Sequence, residues 1–566
     1  MTALAPQPGW TPAFAGVTVA ARLAPWLLAL LPLAFLALMV VAPMLRLLWE
    51  GAGGALAGAL RDLLLDDYLR WRLLWTLLQA LATCLLALLI GLPIAWVLAR
   101  YQFAGRALAL RLLMLPFVVP TLVAALGVLA LLGPRGIGPD LQGTPWLLLY
   151  GNLFFNLCLV LRAGVDGFAR VPASCLFAAR SLGATPLRLF WRVEMPLARP
   201  WLASALCLVF LYCFSGFGLA LILGGQRFAT IEVEIYTLVA HELKLAQAGA
   251  LALCMLLPTG LAAWAYAKLE QGLAAPARIE ALPLRRPRGA APWSLLLLSM
   301  TLLLLICGAP LLALLWRAWP GLLDAIASPG VSSQGMPLGQ GGVTAMALLW
   351  EAETALALWN TLRFCVIALF FATVLGLLHA LAARRWVWLR ALSFLPFVVS
   401  PVTVALGLLM LYPRWSASLP LLLAAYALLA YPFVAQALGS ALDNLPPNLE
   451  MAARSLGCTP ARALWRVLLP CVAPALRRGM AFAAATALGE FAVTLFLSRP
   501  EWSTLTTLIY QYLGRPGAAN LEAALLLACL LMILSLAVFL LIEHSPRQGP
   551  AQRVADRLAH ARVTHA

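Results

Sequence analysis

A soluble core can hide one or two long apolar helices, but it cannot hide twelve. The chain carries twelve apolar runs of bilayer length, near residues 26–46, 73–99, 112–132, 146–162, 202–223, 247–268, 294–316, 358–382, 391–412, 419–440, 479–497 and 522–543. None shows the two-residue alternation of a membrane barrel, and a spanning segment must satisfy its own backbone, so each is expected to be a helix. The composition agrees: 63% of the 566 residues are hydrophobic and 11% charged, with a mean hydropathy of +0.93. Soluble domains carry about a quarter charged residues. The fold class is therefore an all-α polytopic membrane protein.

The net charge of +17 does not point to nucleic acid, because the arginines sit in short loops between apolar runs. Arg100, Arg106 and Arg111 flank the second loop, six arginines from Arg162 to Arg199 fill the fourth, and Arg285, Arg286 and Arg288 lie in the sixth. Arg384, Arg385 and Arg390 mark the eighth, Arg454 to Arg478 the tenth, and Arg547 to Arg562 the tail. Odd-numbered loops are mixed or acidic. The positive-inside rule thus predicts both termini in the cytoplasm. The first run lacks a clear cleavage site and is expected to be a retained helix rather than a signal peptide. The 11 cysteines lie mostly inside apolar runs and read as small packing residues. With few, scattered histidines, no metal site is expected.

The chain repeats itself. Residues 169–202 return as 443–476 at a constant spacing of 274: Ala179-Arg180-Ser181-Leu182-Gly183 recurs as Ala453-Arg454-Ser455-Leu456-Gly457, Trp191-Arg192-Val193 as Trp465-Arg466-Val467, and Pro196 as Pro470. Leu115-Pro116-Phe117-Val118 recurs as Leu395-Pro396-Phe397-Val398, and Ala125-Leu126-Gly127 as Ala405-Leu406-Gly407. Two parallel six-helix repeats follow, with a pathway expected between them. The first covers residues 1–269 and the second 293–546. A cytoplasmic linker at 270–292 joins them, and a tail at 547–566 ends the chain. The linker reads as a tether, its basic residues also suiting anionic membrane lipid.

Each repeated cassette predicts a short helix, a sharp bend and a second helix on the cytoplasmic side. The small pairs Ala178-Ala179 and Ala452-Ala453 sit on the first helix, with Glu450 beside the second pair. Gly183 and Gly457 supply the stops. Thr185-Pro186 and Thr459-Pro460 read as N-cap and first helical residue. Arg188 and Arg192, matched by Arg462 and Arg466, line one side of the second helix, which Pro196 and Pro470 lead back to the membrane.

This cassette resembles the EAA motif of the permease subunits of bacterial binding-protein-dependent ABC importers, in which Glu-Ala-Ala is followed at fixed spacing by Gly and then Ile-x-Leu-Pro. The Ala-Ala, Gly and final Pro match in both copies; the Glu is absent, Phe177 and Met451 standing in its place. The resemblance implies the type I importer permease fold in a fused two-domain form, similar to the thiamine and ferric-iron permeases. Residues 224–236 look closer to the thiamine branch. It further implies two copies of a cytoplasmic ATPase, one per cassette, a periplasmic solute-binding protein, and alternating access in the bacterial inner membrane. ATP and magnesium would then belong to the ATPase; this chain has no GxxxxGK[ST] loop and is expected to be no enzyme and to carry no cofactor. The solute expected is thiamine, with ferric iron as the alternative. An ion-coupled secondary transporter is a less favoured third, since such a carrier would need a coupling-ion site at broken helices near mid-membrane. The Pro116/Pro120 and Pro396/Pro401 pairs could break helices but fall near the cytoplasmic ends of their runs.

Polar groups at membrane depth are costly and tend to face the interior, so Glu490, Asn152, Asn156, Gln79, Gln436, Tyr212 and Ser215 are candidate pathway residues. Asn152 and Asn156 share a helix face. Trp71, Trp75, Trp316 and Trp319 read as interfacial anchors.

Overall fold

Lipid offers no hydrogen bonds, so the apolar runs close their backbones as helices. The computed structural model describes residues 28–50, 65–134, 136–273, 284–327, 351–416, 418–446 and 448–543, with Trp26, Gly58 and Arg61 besides. The tail at 547–566 and much of the linker lie outside the described residues. Ten helices are long and apolar enough to cross a membrane: α1 (Leu28–Trp49), α2 (Asp67–Arg100), α5 (Pro145–Ala169), α7 (Pro186–Phe214), α10 (Leu245–Glu270), α11 (Ala290–Trp319), α12 (Ala352–Ala383), α15 (Leu419–Asp443), α17 (Pro460–Leu488) and α20 (Ala518–Glu543). Two further spans are bent pairs: α3 (Arg106–Val118) with α4 (Thr121–Leu132) at 102°, and α13 (Trp388–Val398) with α14 (Pro401–Leu411) at 88°. The remaining short helices are α6 (Ala173–Ser181), α8 (Gly218–Leu223), α9 (Ile231–Ala240), α16 (Asn448–Ser455), α18 (Ala492–Leu497) and α19 (Leu505–Gly514).

The bends come from the repeated prolines. A residue before proline is pushed out of the helical region, and Ser400, directly before Pro401, lies extended at φ −63°, ψ 152°. Val119, directly before Pro120, does the same at φ −68°, ψ 132°. The breaks are not confined to the ends of their runs, as the sequence suggested. Helix forms for a dozen residues before each break, because Arg106 and Trp388 start it in the preceding loops, so each break falls mid-pair.

The fifth and eleventh runs also differ from expectation. The second cassette helix and the following span are one continuous helix, α7 or α17, and the chain then breaks at residues 215–217 and 489–491 before α8 and α18. Prolines 196 and 470 do not interrupt these helices, because a π-turn precedes each: Phe190–Glu194 and Leu464–Leu468. The wider turn changes the register just where proline withholds its N–H.

The same device sits inside the first helix of each half. π-turns at Ala37–Val41 and Leu304–Gly308 precede Pro43 and Pro310. In the five-residue register the carbonyls of Leu38 and Leu305 face those prolines and find no backbone donor. Tyr412 Oη donates to Leu38 O at 3.1 Å, and Tyr150 Oη donates to Leu305 O at 2.7 Å. Each tyrosine comes from the opposite half, because the first helices are exchanged: α1 packs on α14 and α11 packs on α4. The exchange explains the repeated Ala-Leu-Gly. A Cβ on Gly127 would stand 2.9 Å from Pro310 O, and one on Gly407 would stand 2.8 Å from Pro43 Cβ. Gly127→Val or Gly407→Val should therefore cost about 1–3 kcal/mol by overpacking. The check is thermal unfolding of the detergent-solubilised chain, with Gly260→Ala, where a Cβ meets nothing within 4 Å, as the comparison.

Candidate substrate chamber and docking surfaces

The four breaks meet between the halves and enclose a chamber of about 220 Å³. Phe217 and Phe491, each at a break, stack with centroids 5.9 Å apart. Of the candidate pathway residues, Asn152, Asn156, Tyr212, Ser215 and Glu490 line the chamber. Glu490 is thus at the break between α17 and α18 rather than inside a span, and one of its carboxylate oxygens accepts from Val493 N at 2.9 Å. Gln79 is not on the wall. It donates to Cys213 O at 2.8 Å and accepts from Asn152 Nδ2 at 2.6 Å, so it positions Asn152.

Gln436 belongs to a second cavity of about 580 Å³ on the cassette side, with His379, Tyr266 and the ion pairs Arg162–Asp166 and Arg390–Asp443. Aromatic rings separate the two spaces. Phe117 packs against Phe155, Tyr212, Phe433 and Phe482 at 5.4–6.4 Å, and Phe397 against Tyr212 at 6.0 Å. Phe117 and Phe397 are the phenylalanines of the repeated Leu-Pro-Phe-Val. That repeat was the available signal for this barrier, and the sequence reading attached no role to it. The eight cysteines inside apolar runs are free and buried or half-buried, as their packing role requires.

Residues 224–236, which the sequence singled out, form a strap held on α2. Arg72 donates to Gln226 O and Ala229 O at 2.6 and 3.1 Å and faces Glu234 at 3.7 Å. Trp75 is no interfacial anchor: it is buried and donates to Phe228 O at 2.6 Å. Trp71 reaches Arg227 O at 3.2 Å, while Trp316 and Trp319 stay exposed as anchors do. At the strap's helical end, Glu232 of α9 lies outside the spans and is fully buried. It accepts from Ser400 Oγ at 2.8 Å, joining the two halves.

The cassettes form as their residues dictate. Gly183 and Gly457 are left-handed, φ +75° and +85°, and end α6 and α16. The Schellman pattern is closed by Ala184 N to Ala179 O and Cys458 N to Ala453 O, both 3.1 Å. Thr185 and Thr459 cap the second helices. Ala179 and Ala453 pack inward, while Ala178, Ala452, Arg188, Arg192, Arg462, Arg466, Pro196 and Pro470 are exposed. So are large apolar side chains: Leu182 is 88% and Leu456 85% exposed, with Trp191 and Trp465 alongside. Paired apolar surfaces of this kind mark contacts with protein or membrane.

The missing Glu is replaced differently in each half. Glu450 pairs with Arg384 at 3.1 Å. In the first half Glu194, from the second cassette helix, pairs with Arg100 at 3.0 Å and accepts from Trp96 Nε1 at 2.5 Å; both carboxylate and guanidinium are buried. The linker joins this cluster. Arg285 N donates to Arg100 O and Gln102 N to Arg285 O, both 2.9 Å, so at this point it is docked rather than a simple tether.

Duplicated halves, exchanged first helices and paired cassettes define a membrane-embedded permease. The chain belongs to the family described as binding-protein-dependent transport system inner membrane component, whose model matches residues 87–275 and again 372–548. It is thus a fused, two-domain ABC transporter permease, a multi-pass inner membrane protein. It is 26% identical over 485 residues to the thiamine transport system permease protein ThiP of Escherichia coli (strain K12), covering 80% of this chain and 84% of that one. It is 28% identical over 481 residues to ThiP of Brucella abortus (strain 2308), covering 80% and 83%. A shorter relative, the putative 2-aminoethylphosphonate transport system permease protein PhnV of Salmonella typhimurium, is 28% identical over 221 residues, 38% of this chain and 78% of its own.

Burial pushes the Glu232 carboxyl up to about 8. The folded chain then holds a proton that the unfolded chain releases. That stabilisation is complete below the ordinary carboxylate range and is lost as pH rises through about 8. The melting temperature should fall between about pH 5 and about pH 8, and Glu232→Gln should flatten that slope.

Proposed function

We propose that this chain is the permease of an ATP-driven importer that carries thiamine from periplasm to cytoplasm. The observation that carries this reading is the extent of the similarity to the ThiP permeases, 80% of the chain including both halves. The chamber lining supports it, since ring walls with a single carboxylate suit an organic aromatic cation. The arginine distribution supports a cytoplasmic side for the cassettes. Each takes one copy of an ATPase on its exposed Leu–Trp surface, and a periplasmic binding protein delivers solute to the opposite face. ATP-driven closure of the ATPase pair draws the cassettes together, and α7 and α17, continuous with them, carry that movement to the breaks around the chamber.

The test is reconstitution in vesicles with the cognate ATPase and binding protein. ATP-dependent thiamine uptake is expected; no uptake from thiamine-loaded binding protein would overturn the solute assignment. The docking claim has its own check. Side chains at Gly183 and Gly457 meet nothing within 4 Å but must adopt positive φ, so Gly183→Arg with Gly457→Arg should insert normally yet deform both bends. Co-purifying ATPase should fall at least about tenfold, as loss of central contacts at an interface does. Full association in the double variant would rule the cassettes out as the docking sites.

A further inference from the structure

The two halves match at their breaks and bends, but the polar part of the chamber lining differs between them. At the spacing of 274, Phe217 corresponds to Phe491, but Asn156 corresponds to Ala430, Ser215 to Gly489 and Gly216 to Glu490. Three polar groups therefore break the pseudo-symmetry of one cavity, and all three line it.

Among the described residues, their hydrogen bonding is incomplete. Asn156 is 1% exposed; its amide N–H groups reach Asn152 O at 3.0 Å and Cys213 Sγ at 3.3 Å, but its Oδ1 has no partner. Ser215 Oγ is buried without a partner as well. Glu490 is buried and spends one oxygen on Val493 N. Among the described residues, no basic side chain lines the chamber or pairs with this carboxylate. A buried acceptor left unmade is costly, and an unpaired buried charge more so. These groups lack N–H donors and a positive charge, and the walls beside them are phenyl rings that attract a cation face-on.

Resting on the thiamine reading, we infer that the chamber is itself a binding site for a flat aromatic cation carrying an amino group. Glu490 and the Phe217/Phe491 pair take the charged ring, and Asn156 Oδ1 and Ser215 Oγ accept from the amino group. Thiamine has both parts, a thiazolium and an aminopyrimidine. The permease then selects its solute a second time, after the binding protein has done so.

The experiment uses the full complex in vesicles, with one binding protein throughout. It compares thiamine with the analogue in which oxygen replaces the exocyclic amino group. Glu490→Gln keeps an oxygen for Val493 N and should lower thiamine uptake at limiting concentration about tenfold, the effect of one charge-assisted contact. Ser215→Ala removes a hydroxyl without partners, so folding is spared. It should lower thiamine uptake, and the analogue's too, because the analogue's oxygen can accept from the same hydroxyl; the wild type's preference for thiamine reports Asn156 Oδ1, which can only accept. Wild-type efficiency and preference in both variants would overturn the inference while leaving thiamine as the solute. So would equal uptake of the two compounds by the wild type. Failure of the wild-type complex to import thiamine would instead sink the solute assignment.

Discussion

The structure depends on one constraint: in hydrocarbon every backbone group needs a partner inside the protein. Proline inside a helix breaks this rule, and the fold is shaped by how several of these breaches are answered. Where proline follows a π-turn, the helix continues and one carbonyl is left over. In the exchanged first helices that carbonyl is taken by a tyrosine of the other half, so the defect in one half becomes a bond between halves. Where two prolines lie four or five residues apart, after Leu115 and Leu395, the helix cannot continue and the chain bends by 102° and 88°. The freed backbone there faces the chamber rather than lipid, which is where irregular backbone is tolerated. The chamber is thus a consequence of helix breakage, not an addition to a finished bundle.

The cassettes are tied to this frame unequally. The first is held by a buried cluster of Glu194, Arg100 and Trp96, with the linker's Arg285 bonded to the same helix end. The second is held by the half-exposed Arg384–Glu450 pair. A half-exposed pair contributes little, whereas a buried hydrogen-bonded one is costly to break. A movement that begins at both cassettes therefore meets more resistance in the first half.

Much of this was legible in the sequence. Twelve runs, the cassettes paired at a spacing of 274, the Gly bends and the Thr-Pro caps all follow from local rules acting on local residues. What was not legible depended on contacts between distant segments. Trp75 looked like an interfacial anchor because tryptophan at a span end usually is one; only the strap at 224–236 gives its indole a carbonyl and buries it. Gln79 looked like a pathway group, but its amide is spent on Cys213 and Asn152. The continuity of α7 through Pro196 was hidden for another reason. A π-turn has no residue signature of its own, and proline inside a run ordinarily signals an end.

Duplication explains why some features come in pairs and others singly. Parts that join or bend the two halves are constrained twice: the Pro–Gly contacts, the Leu-Pro-Phe-Val breaks and the bend glycines all recur. A solute without two-fold symmetry places no such demand on the wall around it. There the copies are free to diverge, and there they have done so: Asn156 faces the place of an alanine, and Glu490 stands where the first half has glycine. The chamber is symmetric in the helix breaks that form it and asymmetric in the polar groups that line it.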